Sequence, residues 1–417
     1  MSNRSEIQLG LSVNIKKGKI TTQSDFKRKG YLPLINTEAL VGDAKLFANP
    51  KEGITCDSTD VLMLWDGERS GLVATGQVGV VGSTFARLRP DPSIDSKYLF
   101  YFLQDRYQWL QNNRTGTGVP HVAKDIGRIL IIKYPIYTLQ QKIAKILSTI
   151  DGQIEKTEAI IAKYQAVKQG MLQDLFTRGI DASTGELRPK YEDAPGLYKE
   201  SVLGMVPREW EVEQVAELIK KNVLDDIQDG NHGEAHPKSS DFVHVGIPFI
   251  MASNISDDKI DFANCYKIST KQYRQLRIGF SKAGDILLSH KASIGFVARV
   301  PLDIKEVMLT PQVTYYRVLN ENILKPDYLE YFFRSSTFQT PLHNLAKQST
   351  RDYIGITMQK SLKVAYPNNT VEQQLISERL MAAYSNHGIE RKHLLKLQKI
   401  KQGLMSDLLS GKVEVTV

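Results

Sequence analysis

The chain repeats itself, and that repetition restricts what it can fold into more than any other feature. Tyr134-Pro135-x-x-Thr138-Leu139-Gln140-Gln141 returns as Tyr366-Pro367-x-x-Thr370-Val371-Glu372-Gln373, 232 residues later. Lys168-Gln169-Gly170-Met171-Leu172-x-Asp174-Leu175 returns as Lys401-Gln402-Gly403-Leu404-Met405-x-Asp407-Leu408, 233 residues later. Upstream, Lys97-Tyr98-Leu99-x-Tyr101-Phe102 matches Asp327-Tyr328-Leu329-x-Tyr331-Phe332 at an offset of 230. A fainter echo pairs Leu62-x-Leu64 and Gly71-Leu72-Val73-Ala74 with Ile286-x-Leu288 and Gly295-Phe296-Val297-Ala298, and Pro33-Leu34-Ile35 with Pro248-Phe249-Ile250. Three matches in one order at a nearly constant offset argue against coincidence. Each half therefore has a part that has diverged, followed by a part that has not.

The better-matched parts read as long helices. Pro135 and Pro367 end the strand-like runs before them, and Thr138 with Gln141, like Thr370 with Gln373, has the spacing of a capping box. A 4,3 pattern then runs through Ile143, Leu147, Ile150, Ile154, Thr157, Ile161, Tyr164, Lys168, Met171 and Leu175, broken only by Thr157 and Lys168. This is the repeat that coiled-coil packing needs. From Thr138 to Phe176 one helix would span roughly 58 Å at 1.5 Å per residue. The second copy runs through Ile376, Leu380, Ala383, His387, Glu390, Leu394, Leu397, Lys401, Leu404 and Leu408, and its polar centre at His387-Gly388 suggests a kink. Two such helices in one chain can pack on each other. Antiparallel packing is expected, which would set the diverged parts at opposite ends of a rod; two unrelated amphipathic helices on separate cores is the competing reading.

The diverged parts read as strand-rich. Val61 to Trp65, Gly79 to Leu88 and Ile129 to Tyr134 have strand character in the first, and Asp285 to Ser289, Ile294 to Val300 and Val313 to Leu319 in the second. Lys97 to Trp109 and Asp327 to Arg334 read as short amphipathic helices. Between Arg178 and Pro207 the chain is polar, aperiodic and punctuated by Gly and Pro, as expected of a linker or wrapping arm. The expected class is α+β. It has two strand-rich domains, at 1–135 and 201–365, and two helical segments, at 136–200 and 366–417, with a pseudo-twofold internal repeat.

Composition narrows the function. The net charge of +8 permits a polyanionic partner without proving one, and residues 1–135 hold 18 Lys and Arg against 13 Asp and Glu, which is most of the excess. Lys16, Lys17, Lys19, Lys27, Arg28 and Lys29 lie close together there; an ordinary solvated basic face would look the same. No apolar run reaches the length of a membrane span, and Met1 to Gly10 is too polar for a signal peptide, so a cytoplasmic protein is expected. Cys56 and Cys265 are far apart and suggest neither a metal site nor a redox pair.

The residue patterns of nucleotide-, methyl-transfer and nuclease chemistry are incomplete in this sequence. Gly76-x-x-Gly79-x-x-Gly82 is neither a dinucleotide fingerprint nor a P-loop, and turn glycines at strand ends explain it better. No Asn/Asp-Pro-Pro-aromatic motif for adenine methylation occurs; Asn49-Pro50-Lys51-Glu52 comes nearest and fails. Pro301-x-Asp303-x-Lys305 has the letters of a nuclease motif but no second carboxylate partner for Mg²⁺. His232-x-Glu234-x-His236 has metal-ligand residue types, but Gly233 and Pro237 point to a solvated loop.

Two strand-rich regions, each followed by a long helix opening with Pro-x-x-Thr-x-x-Gln, resemble the specificity subunit of type I restriction–modification enzymes. Gly204-x-Val206-Pro207-x-x-Trp210 resembles the opening of a target recognition domain in that family. Gly116-Thr117-Gly118-Val119-Pro120-His121-Val122 resembles its Gly-rich segment, and Lys168-Gln169-Gly170-Met171 and Lys401-Gln402-Gly403-Leu404 resemble its helix ends. The first half lacks the Val-Pro-x-x-Trp opening, which leaves its first strand undefined. In the second half, Lys347 to Asp352 stands where the Gly-rich segment should be and has no glycine, so the two domains are expected to read different sequences.

The resemblance implies a chain that does no chemistry itself. Each target recognition domain would read one half of a split, asymmetric site in double-stranded DNA. The helices would set the spacing and dock two methyltransferase subunits, which would carry the S-adenosylmethionine; this chain would need no cofactor or metal. Restriction motor–nuclease subunits would join for cleavage, and no membrane would be involved. Lengthening the helices should change the spacer and leave the half-sites alone. Lys and Arg suit phosphates; Arg, Asn, Gln and small polar groups suit base edges. The DNA-contact candidates are Lys16, Lys17, Lys27, Arg28, Arg69, Arg114 and His121 in the first domain, and Arg274, Arg277, His290, Lys291, Gln348, Ser349 and Arg351 in the second. Asp66 and Arg69 align near His290 and Ser293, in a loop after a strand. Two rivals stand beside this reading: a coiled-coil scaffold whose ends bind proteins, and an autonomous restriction or modification enzyme.

Overall fold

Strand Val61–Leu64 and its counterpart Ile286–Ser289 are buried along their whole length, with apolar residues on both faces. Successive side chains of a strand point to opposite faces, so each strand feeds two cores at once. Val61 and Met63 enter the core that holds Tyr98, Leu99 and Phe102, while Leu62 and Leu64 enter a smaller one with Ile35, Val81 and Phe85. In the second copy, Ile286 and Leu288 pack with Tyr328, Leu329 and Phe332, and Leu287 with Ile250, Val307 and Leu309.

The computed structural model describes residues 4–40, 44–116, 118–233, 236–256, 259–347, 353–413 and 415. It divides into two compact units, residues 1–160 with 390–417, and residues 161–389. In the first, a four-stranded sheet has the spatial order Val13–Lys17, Phe85–Pro90, Val61–Leu64, Val73–Thr75, and a five-stranded sheet contains Leu32–Ile35 beside Gly79–Val81. Ser5–Gln8 pairs antiparallel with Ile131–Tyr134, which supplies the first strand that sequence left undefined. In the second unit, Trp210–Gln214 pairs antiparallel with Lys363–Pro367, and Ile286–Ser289 lies between Val297–Arg299 and Val313–Tyr316.

Asp327 to Arg334 is helical as expected, while Lys97 to Trp109 divides at Arg106 into Ser96–Asp105 and Tyr107–Asn112. Ser96–Asp105 is capped by the Asp95 carboxylate, which accepts the Tyr98 N–H at 2.9 Å, and Pro326 opens Pro326–Arg334 at a position where its missing N–H costs nothing. The sequence missed the long strand Phe242–Ile250. It also read Gly79 to Leu88 as one strand, which the structure breaks at Gly82 into Gly79–Val81 and Phe85–Pro90.

The two long helices are Tyr137–Thr177 and Thr370–Ser410, 41 residues each, and the second runs through His387-Gly388 without interruption. Every position of the 4,3 pattern in both helices is buried or half-buried. The polar breaks are accommodated: the Thr157 hydroxyl donates to the Gln153 carbonyl at 2.8 Å, and the Lys168 ammonium lies 4.3 Å from the centre of the Tyr384 ring. Within the first unit, Ile143, Ala144 and Leu147 share a core with Met405, Leu408 and Leu409, and Lys401 pairs with Asp151 at 2.7 Å. Within the second, Leu172, Leu175 and Phe176 share a core with Ile376 and Leu380. In both units, early residues of one long helix meet late residues of the other, which is the antiparallel pairing expected.

The capping boxes need correction. Gln141 is exposed; its neighbour Gln140 is the buried residue, and it corresponds to Gln373. Both buried amides reach into the diverged domain rather than back to their own helix. The segment after Arg178 is not a loose linker either. Ile180 is buried and bridged to Leu187, and Tyr198–Ser201 and Gly204–Pro207 form a hairpin, so the segment is a folded arm of the second unit.

Candidate nucleic-acid interface

The loop after each central strand is closed in the same way in both units. In the first, Leu64 N–H donates to Leu72 O at 2.8 Å and Gly71 N–H to Leu64 O at 2.7 Å. In the second, Ser289 N–H donates to Phe296 O and Gly295 N–H to Ser289 O, both at 2.9 Å. Gly71 and Gly295 hold φ of +96° and +93°, a region costly for residues with a Cβ, so the glycine common to both copies is a requirement of this closure. The loops Asp66 to Ser70 and His290 to Ile294 are therefore the same device carrying different side chains. Ala292, with φ +68°, is a strained non-glycine residue within the second.

In the first unit, the Gly-rich segment packs against this loop. Val122 N–H donates to Trp65 O at 2.9 Å and Gly67 N–H to Pro120 O at 2.8 Å, and Asp66 bridges to His121. The Asp66 carboxylate lies 2.7 Å from His121 Nδ1 and accepts from Lys17 Nζ at 2.9 Å. Two sequence candidates, Lys17 and His121, thus join Asp66 in one polar cluster, each of the two nearly half exposed. Arg69 is exposed on the same loop. Lys16 lies opposite Arg87 across the strand pair. Lys27 and Arg28 sit in the connection that precedes Leu32–Ile35, a strand of the other sheet, with the Arg28 guanidinium 4.9 Å from the Phe26 ring centre, and no contact brings them to the Asp66 cluster.

Arg114 is held by backbone carbonyls. Its guanidinium donates to Gln111 O at 2.9 Å and Glu68 O at 2.7 Å, so it braces the two loops against each other.

In the second unit, Lys291 is exposed while His290 is wholly buried. His290 cannot touch a base edge as placed, which corrects the expectation for it. Burial pushes its pKa down to about 4 against the opposing pull of the Asp229 carboxylate, 3.9 Å away, so the ring is neutral at pH 7. Arg274 and Arg277 are exposed beyond the short helix Thr270–Tyr273. The segment holding Arg277 is tied to another loop: Arg277 N–H donates to Asn231 Oδ1 at 3.0 Å and Asn231 Nδ2 to Ile278 O at 2.7 Å. Gln348, Ser349 and Arg351 lie outside the described residues.

Sequence reasoning missed Asp229, Gln312 and Tyr353. The Gln312 carbonyl accepts the His290 N–H at 2.9 Å, and Tyr353 bridges to Lys291. None lies in a periodic run or recognisable motif. Among the described residues no group of three or more His, Cys, Asp and Glu could hold a metal ion. His232 Nε2 lies 3.0 Å from an Asp229 carboxylate oxygen and His236 packs on Phe249, while Glu234 lies outside the described residues. Cys56 and Cys265 are buried free thiols.

Known proteins share this arrangement. The type I restriction modification DNA specificity domain matches residues 5–164 and again 207–399. The chain is 30% identical over 412 residues, 96% of its length and 90% of the relative's, to the type I restriction enzyme MjaVIII specificity subunit of Methanocaldococcus jannaschii. It is 26% identical over 355 residues, 80% of its length and 72% of the relative's, to the putative MjaX specificity subunit of the same organism. The crystal structure of a type I restriction-modification S subunit from M. genitalium superposes with a TM-score of 0.63 at 14% identity, covering 100% of this chain and 97% of that one, which supports the fold. With the matched domain present twice and a specificity subunit 30% identical over most of both chains, the chain belongs to the type I restriction–modification specificity subunits, the non-catalytic components that recognise DNA sequence and assemble with the other subunits of the enzyme.

Proposed function

We propose that each compact unit reads one half of a two-part, asymmetric DNA site through the loop after its central strand, Asp66 to Ser70 in one and His290 to Ile294 in the other. The observation carrying this reading is that both loops share one backbone closure but differ in every side chain, as a common reader with two targets requires. Lys17, Arg69 and His121 serve the first half-site, and Arg274, Arg277 and Lys291 the second, with Gln348, Ser349 and Arg351 assigned to it from sequence. Lys16, Lys27 and Arg28 hold phosphates, which adds salt-dependent affinity without sequence information.

The paired long helices dock two methyltransferase subunits, which bind S-adenosylmethionine, and motor–nuclease subunits join them for cleavage in the cytoplasm. Among the described residues no helix is long and apolar enough to cross a membrane. The test is a methylation map. The chain is co-expressed with its methyltransferase in a host without adenine methylation, and the DNA is sequenced by a method that detects methyladenine. Methylation at one two-part motif, absent without this chain, is the expected result; co-purifying subunits with no motif would refute the reading.

A further inference from the structure

Beside the second reading loop lies a pocket of about 420 Å³ whose walls are mostly apolar and aromatic. Phe242 and Tyr266 form one wall, stacked with centroids 4.3 Å apart and planes 13° from parallel, and Phe249 adjoins them. Lys291 of the reading loop, Thr310 and Gln312 line the same space. Tyr266 is 52% exposed, a large aromatic side chain open to solvent. Thr310 is 3% exposed, and its hydroxyl has no hydrogen-bond partner among the described residues. A buried hydroxyl left so is costly unless something supplies its partner.

We propose that this pocket takes one nucleobase turned out of the DNA duplex. The inference rests on the DNA-reading role above and deepens it. A flipped base needs a space of small-ligand size, flat apolar or aromatic surfaces to replace its lost stacking, and polar groups that meet its edge. The aromatic walls provide the surfaces. The Thr310 hydroxyl and the Gln312 amide nitrogen provide edge partners, the Gln312 amide oxygen already accepting from Ala252 N–H at 3.2 Å, and the Lys291 ammonium stands where the displaced backbone phosphate would pass. Asn231 links the pocket's His232 side to the exposed Arg277, a second positive charge for the strand. The corresponding residues of the first unit differ: Leu34 stands at the position of Phe249, and Asp66, engaged by Lys17 and His121, at the position of Lys291. The two half-sites are then read by different physical means, one with its bases stacked and one with a base extruded.

The test uses the full chain with its methyltransferase and duplexes carrying the mapped motif, each with a single mismatch placed at a successive position. A mismatch removes part of the cost of extrusion, so a flipped position binds more tightly when unpaired. Apart from the adenines that the methyltransferase itself extrudes, the expected result is one further position, confined to one half-site, at which the mismatch tightens binding about five-fold or more while mismatches elsewhere weaken it. Tyr266→Ala, at an exposed position, should reduce that gain to less than two-fold with thermal unfolding unchanged. Thr310→Val, nearly isosteric, should weaken binding to the matched motif several-fold. Motif-specific methylation without that further tightening mismatch, or a gain that persists in Tyr266→Ala, would overturn the pocket and leave the DNA-reading role intact. A methylation map without a motif would remove both.

Discussion

Gln140 and Gln373 make the same three hydrogen bonds, one in each unit. Each side-chain amide donates to the carbonyl of the proline that precedes its helix, Pro135 at 2.9 Å and Pro367 at 2.8 Å. Each also donates to a carbonyl before a short helix, Ser93 at 3.0 Å and Ile323 at 2.8 Å, and accepts a backbone N–H at 2.8 Å, from Asp95 and from Lys325. The buried amide fastens the start of a long helix to the domain that precedes it. Gln140→Leu would strand three buried or half-buried backbone groups, and Gln373→Leu likewise. Each substitution should lower stability by about 2–4 kcal/mol, since an unsatisfied buried group costs about 1–3 kcal/mol. Urea unfolding measures this, and a loss under about 1 kcal/mol would deny the amide its fastening role.

Glu372 serves the folded arm. Its carboxylate accepts from Ile180 N–H and Trp210 Nε1–H, each at 3.0 Å, and from both terminal nitrogens of Arg188. The Glu372 side chain is 2% exposed and that of Arg188 11%, so removing one partner leaves a charge uncompensated. Glu372→Ala should cost about 3–5 kcal/mol and expose the segment 178–209 to trypsin. Limited proteolysis of the variant beside the parent chain reads the second effect, and an uncut arm would show that other contacts suffice to hold it.

Phosphate contacts and base contacts separate by salt. Lys27→Ala and Arg28→Ala should each lower the slope of log affinity against log salt by about 1, with the methylated motif unchanged. Arg69→Ala should instead relax the motif at one half-site. Affinity titrations at several salt concentrations, with methylation mapping of each variant, distinguish the two classes.

His290 sets a pH limit. Its pKa of about 4 in the folded chain lies below the ordinary 6.5, so the unfolded chain takes up the proton first. Stability is complete above pH 6.5 and falls as pH drops from 6.5 toward 4, by on the order of 3 kcal/mol. His290→Asn should flatten that limb of the stability profile, whatever it does to stability at pH 7. Denaturant midpoints measured between pH 7 and 4 test it, and parallel profiles for the two proteins would show that His290 does not carry the dependence.

Much of this protein was legible from one dimension. Duplication implies two equivalent units, and the 4,3 pattern marks two helices in which every pattern position is buried or half-buried, because helical periodicity is a local property. The recognition domains were harder to read. Phe242–Ile250 escaped notice because its pairing strands, Tyr266–Ile268 and Glu306–Leu309, lie well downstream, and strand pairing is decided by contacts that sequence separation hides.

The sequence by itself determined the repeat, the helices, the family resemblance and a set of basic candidates chosen by residue type. Only the tertiary structure decided which of those candidates can act. It buried His290, turned Arg114 into a brace, gathered Lys17 and His121 on Asp66, and walled a pocket with Phe242, Phe249 and Tyr266 beside Lys291. Exposure and partnership depend on residues far away in the chain, and charge or residue type alone does not carry that information.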